Sequence, residues 1–141
     1  MQIITVILLA VTILPIPHDP DTVNRHEAEL IAKTIWGEAR GCSRAGQEAI
    51  AWCILNRVGT DGYGMGHSIE YVITFPDQFH GYDPENPVDP VDPEIYTLAC
   101  RVIQDWQNGG EGIGKQWLWF TGDGSKNTFR DAYKGGNTKT F

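Results

Sequence analysis

Glu38 is the side chain in this sequence best placed to do chemistry. Ala28, Ile31 and Ile35 recur at helical spacing, and Glu38 continues their stripe. At 3.6 residues per turn, Ile31 and Glu38 fall within about 20° of one another around the helix. Glu29 points the opposite way. A carboxylate in line with an apolar face, near the negative end of the helix dipole, is expected to keep its proton to higher pH. Burial and the dipole both disfavour the charged form. A glutamic acid protonated near neutral pH is a general acid. The alternative on these residues alone is a structural glutamate neutralised by Arg40 or Arg44.

A second group of residues lies in the middle of the chain. Phe75-Pro-Asp-Gln-Phe-His-Gly-Tyr-Asp83 mixes rings with polar side chains. Rings pack on the apolar faces of sugars, and amides meet hydroxyl and acetamido groups. An ordinary packed loop would read the same way. Other chemistries lack support. His18, His26, His67 and His80 are far apart and form no H-E-x-x-H or H-x-E pattern, so no metal and no cofactor is expected. Cys42, Cys53 and Cys100 are odd in number and fit no zinc spacing. Cys53 and Cys100 sit among apolar residues and read as small buried hydrophobes. Ser43 and Ser68 lack a nucleophile elbow. The Gly59–Gly66 loop has no preceding strand and no lysine, which argues against a phosphate cradle.

The elements that must position these residues can be read in outline. Asn24 with Glu27 resembles a capping box that opens the first helix, and Gly41 closes it. Ser43 caps a second helix, Ala45 to Val58, apolar on most sides and therefore central. Asn56 lies on the stripe of Ala49 and Trp52 and needs a polar partner inside. Ser68 to Thr74 is a short helix or strand. Pro84 to Pro93 is a proline-punctuated connector. Asp92-Pro93 starts a helix in which Ile95, Leu98, Ala99, Val102 and Trp106 make an amphipathic stripe ended by Asn108-Gly109-Gly110. Trp117 to Thr121 reads as a strand, followed by a turn at Gly122 to Gly124.

The 141 residues fit one domain, and 41% hydrophobic with 21% charged residues is the composition of a soluble globular protein. A net charge of −7 with no basic run argues against nucleic-acid binding. Met1 to Ile16 stands apart, because it carries no charged side chain. Its apolar run is short for a membrane span of roughly 20 residues and suits a signal-peptide core, although no Lys or Arg precedes it and no A-x-A site follows. A buried strand or helix is the alternative. The expected organisation is a signal peptide or membrane anchor over residues 1–17, a linker over 18–23 and a folded domain over 24–141.

Trp36-Gly-Glu-Ala-Arg-Gly41, Gly46-Gln-Glu-Ala-Ile-Ala51 and Leu55-Asn-Arg-Val58 resemble the signature of the spore-cortex-lytic, SleB-type cell wall hydrolases. Pro76-Asp-Gln-Phe79, the Trp117 to Phe120 segment and Gly135 to Phe141 are similar to later elements of that family. The likeness runs from about Leu30 to the C-terminus. Cys42 departs from the family, which usually has an acidic residue there. The Asp83 to Asp92 connector departs as well, and the separate wall-binding domain of the spore enzymes is not in this chain. The resemblance implies an α+β, mainly α, lysozyme-like single domain with a small C-terminal β element. It implies lytic transglycosylase activity on N-acetylmuramic acid to N-acetylglucosamine linkages of peptidoglycan, with Glu38 as the catalytic residue. Gln78, Phe79, Tyr82 and Trp119 are expected to line the substrate groove. A monomer is expected, exported or anchored at the wall, with membrane contact through its N-terminal segment. A phage lysin held in the cytosol until release is the alternative. Two other readings stay open. One is a true glycosidase, which needs a second carboxylate from among Asp77, Asp83 and Glu48. The other is a wall-binding protein without turnover.

Overall fold

The computed structural model describes residues 22–88 and 93–141. The apolar segment of residues 1–16, residues 18–21 of the 18–23 linker and the Asp92 cap lie outside the described residues.

Among the described residues, four helices and a small sheet follow in order: α1 (Arg25–Ala39), α2 (Arg44–Arg57), α3 (Ile69–Thr74), α4 (Pro93–Gln107), then β1 (Trp119–Gly122), β2 (Asn127–Arg130) and β3 (Thr138–Thr140). The architecture is α+β and mainly α, as expected. The helix starts are fixed by side-chain caps. Asn24 accepts from the Glu27 amide at 3.3 Å, Ser43 from Gly46 at 3.2 Å and Ser68 from Tyr71 at 3.1 Å. Each satisfies an amide that the helix leaves unpaired. The Ser68 segment resolves as a short helix rather than a strand.

α2 is the centre of the molecule. Ala49, Ile50, Ala51, Cys53 and Ile54 are completely buried, as its all-round apolar sequence requires. α1 packs against α2, α3 and α4, and α2 also packs against α3 and α4. Ile31, Ile35, Val72, Val102 and Ile103 fill the space between them. Trp106 is half-buried against the core. Because α2 joins every other helix, its cap should matter to the whole fold. Ser43→Ala is expected to lower unfolding stability by about 1 kcal/mol. Urea denaturation would show this as a lower midpoint with an unchanged slope.

The sheet is antiparallel in the order β1-β2-β3. Trp119 pairs with Arg130 and Gly122 with Asn127, while Arg130 also pairs with Thr138. Asp123 closes the β1–β2 turn by accepting from the Ser125 and Lys126 amides at 2.9 and 2.8 Å, and these bonds hold its carboxyl below the ordinary value. The sheet is anchored by rings. Phe129 on β2 is completely buried and packs against Phe120 at 5.6 Å and Phe141 at 5.3 Å, and Phe120 meets Phe79 at 5.8 Å. This row ties the middle loop and the C-terminus to one edge of the helical core.

The last turns of α2 fix where the sheet begins. Asn56 donates to the carbonyls of Gly114 and Trp117 at 3.0 and 3.1 Å. Arg57 Nε donates to the Leu118 carbonyl at 2.7 Å, and the Cys53 thiol lies 3.3 Å from the same oxygen. Asn56 thus finds the polar partner its position calls for. Burial pushes the Cys53 thiol up to about 11, so it stays neutral beside that carbonyl. Cys42, Cys53 and Cys100 are all free thiols.

Candidate active site

Glu38 is the penultimate residue of α1, and the helix carries it to the surface of a cleft. Ile35 and Ala39 are buried, whereas Glu38 is half-buried. The expectation of a buried carboxylate is therefore corrected: Ala39 takes the core-facing position in the last turn and Glu38 turns outward. Its Oε1 accepts the Gly81 amide at 2.7 Å. Neither arginine weighed as its ion-pair partner reaches it. Arg40 donates to the Trp36 carbonyl and lies over the Trp36 ring, while Arg44 pairs with Gln47 and Glu94. Among the described residues Glu38 has no cationic partner.

Two glycines in contact set the position of this carboxylate. A Cβ on Gly37 would stand 1.6 Å from the Gly81 carbonyl oxygen, and one on Gly81 would stand 2.7 Å from the Glu38 nitrogen. No side chain fits at either position without separating the backbones. The loop is strapped down from its other side. Asn86 donates to the carbonyls of Gly81 and Lys33 at 2.8 and 3.0 Å, and the Lys33 ammonium donates to the Pro84 carbonyl at 2.6 Å. The Gly81 amide is therefore a fixed donor aimed at Glu38, held at both ends of a short loop.

The cleft consists of two adjoining cavities. One, of about 520 Å³, contains Glu38, Gly37, His80 and Thr121. The other, of about 700 Å³, contains Arg57, Tyr63, Trp119, Arg130 and Tyr133. Asp77, Gln78 and Phe120 line both, so they form the boundary across which a long substrate would run. Tyr63 and Tyr133, on the wall of the larger cavity, are 72% and 67% exposed.

Gln78 stands at this boundary and is held by Arg57, whose guanidinium donates to its Oε1 at 3.0 Å. Gly64 makes room for it, since a Cβ there would lie 2.6 Å from the Gln78 amide. Trp119 lines the larger cavity only. Phe79 is 5% exposed and packs under the Arg57 guanidinium, 4.9 Å from ring centre to carbon, within the core rather than on the cavity wall. Tyr82 is half-buried against the core and lines neither cavity. Of the candidate second carboxylates, Asp77 shares the cavity with Glu38. Glu48 is held away from the cleft by Arg101 of α4 at 2.8 Å, and Asp83 caps the Glu85 amide.

Sequence reasoning gave no individual role to Arg57, His80, Phe120 or Thr121, although each lies in a segment it singled out, and it did not reach Arg130. Arg57 did carry a signal, as a cation at the end of a helix apolar on nearly every face. It is 3% exposed, and burial pulls its guanidinium below the ordinary value. Among the described residues no group of His, Cys, Asp or Glu could hold a metal ion, and no helix is long and apolar enough to cross a membrane.

A helical domain with a carboxylate over a long open cleft, flanked by amides and exposed rings, is an arrangement suited to a polysaccharide. The family model for cell wall hydrolases matches residues 41–140, most of the chain, beginning just past Glu38. The protein belongs to the cell wall hydrolase family, and is an enzyme that acts on peptidoglycan. No curated protein matches it, and no solved structure does.

Proposed function

We propose that this cell wall hydrolase is a lytic transglycosylase of the SleB type, cleaving N-acetylmuramic acid to N-acetylglucosamine linkages with Glu38 alone as acid and base. The observation that carries the reading is Glu38 itself. Its carboxylate opens into a substrate-sized cleft, has no cationic partner among the described residues, and is oriented through one oxygen by the Gly81 amide. That leaves the other oxygen for the substrate. Glu38 gives its proton to the glycosidic oxygen as the bond to the muramic acid C1 breaks. The resulting carboxylate takes the proton from the C6 hydroxyl as that oxygen bonds to C1. The products are a 1,6-anhydro ring on one side and a free hydroxyl on the other, with no water consumed. Gln78 and Trp119 contact sugars along the groove, Phe79 and Tyr82 support it from behind, and no cofactor takes part. Residues 24–141 form the catalytic unit, acting as a monomer. Residues 1–17 bring it to the outer face of the membrane as a signal or anchor.

One observation favours a second reading, hydrolysis with Asp77 as the partner carboxylate. Asp77 lines the Glu38 cavity and takes a left-handed backbone with φ of 62°, a conformation that marks functional loops when a non-glycine residue adopts it. Mass spectrometry of the fragments released from purified peptidoglycan separates the two. Anhydro-muropeptides, lighter by one water, are the expected products. Reducing-end muropeptides would replace the proposal with the hydrolytic reading, and release of neither would overturn both.

A further inference from the structure

Two arginines face the larger cavity without a carboxylate to balance them. Arg57 is 3% exposed, and its contacts are the Leu118 carbonyl, the Gln78 amide oxygen and the Phe79 ring, all neutral. Arg130 comes from β2, beside Trp119 across the strand pair, and its buried Nε has no acceptor. Neither arginine forms an ion pair among the described residues. Asp61 and Asp77 share the cavity wall, but both are exposed, and Asp77 lies against His80 at 3.8 Å instead. A guanidinium remains charged at any pH the protein meets, so removing it from water is costly unless an anion meets it. Its planar fork fits a carboxylate with two parallel hydrogen bonds.

We propose that Arg57 and Arg130 form a carboxylate subsite for the acidic substituent of the sugar bound next to Glu38. This rests on the glycan-cleaving reading above. The 700 Å³ cavity adjoins the Glu38 cavity across Gln78, so a substituent of a sugar held at Glu38 reaches it without leaving the groove. In peptidoglycan the carboxylate comes from one of two sources. It is the lactyl acid of muramic acid where no peptide is attached, or an acid of the peptide where one is.

The test is calorimetric binding to the full-length chain carrying Glu38→Gln, which removes turnover from the measurement. Three muramic-acid-containing tetrasaccharides are compared: one with free lactyl acids, one with these converted to methylamides, and one bearing peptides. The acid forms are expected to bind at least about tenfold more tightly than the methylamide, the scale of one charge-assisted hydrogen-bond pair. Adding Arg130→Gln should reduce that ratio to near one while the methylamide affinity stays unchanged, which also shows that the variant is folded. Adding Arg130→Lys should keep part of the ratio, because charge remains without the fork. A preference seen for the lactyl acid assigns that source, and one seen only with peptides assigns the other. Equal binding of all three glycans, a preference that survives Arg130→Gln, or loss of methylamide binding in that variant would overturn the subsite alone. Failure of all three glycans to bind would overturn the cleavage reading with it.

Discussion

Glu38→Gln is expected to reduce turnover of purified peptidoglycan by at least about 10²-fold, the lower range for loss of a general acid. The substitution is nearly isosteric, and the amide oxygen can still accept the Gly81 N–H that Glu38 Oε1 accepts at 2.7 Å. The fold should therefore persist, with an unchanged circular dichroism spectrum and melting temperature. What is lost is the proton. Glu48→Gln provides the comparison. It breaks the pair with Arg101 between α2 and α4, where both side chains are 33% exposed, and so costs at most about 1 kcal/mol of stability. It should leave turnover close to that of the unaltered enzyme. Lysis by Glu38→Gln at the normal rate would remove the carboxylate from the mechanism.

Gly37→Ala should be nearly as damaging, by a different route. Helix propensity alone predicts a gain of about 1 kcal/mol, because alanine is the better helix former. Contact geometry predicts the reverse. The new Cβ would stand 1.6 Å from the Gly81 carbonyl oxygen, and that oxygen belongs to a backbone strapped to α1 through Asn86. Overpacking of this kind costs about 1–3 kcal/mol. The loop must retreat, and with it goes the amide that orients Glu38. A displacement of about 1 Å at reacting groups can cost 10²-fold in rate. Thermal unfolding and a peptidoglycan release assay together check both effects. A stabilised, fully active Gly37→Ala protein would show that the Gly37–Gly81 contact does not set the site.

The helices were legible from periodicity and caps. The stripe Ile95, Leu98, Ala99, Val102 lies buried in α4, and Asn24, Ser43 and Ser68 each cap the helix that follows. The central place of α2 followed from its lack of a polar face. The sheet was legible only in part. β1 showed as an aromatic run, but β2 and β3 are four- and three-residue strands whose pairing depends on distant partners rather than on local pattern. Phe79 and Gln78 are adjacent in a loop with no period, so nothing local tells which side chain enters the core. The stripe argument found Glu38, yet it placed the carboxylate in the interior, because a helical wheel does not show where the neighbouring layer ends. The Gly37–Gly81 contact, and the Asn86 bond to the Lys33 carbonyl that holds it, join residues more than 40 positions apart. They become visible only once the chain is folded. Arg57 was quoted only within the Leu55-Asn-Arg-Val58 motif, because its contacts with Gln78 and Leu118 join residues 21 and 61 positions away and leave no local pattern.

The most direct test of the account is a crystal structure of the Glu38→Gln protein soaked with a muramic-acid-containing tetrasaccharide. The account predicts a glycan running along the cleft over Gln78. Its scissile glycosidic oxygen should lie within about 3.2 Å of the side chain at position 38, the reach of a proton donor. A glycan bound elsewhere, for instance at the separate surface hollow of Arg44, Glu94 and Arg101, with position 38 untouched, would contradict it.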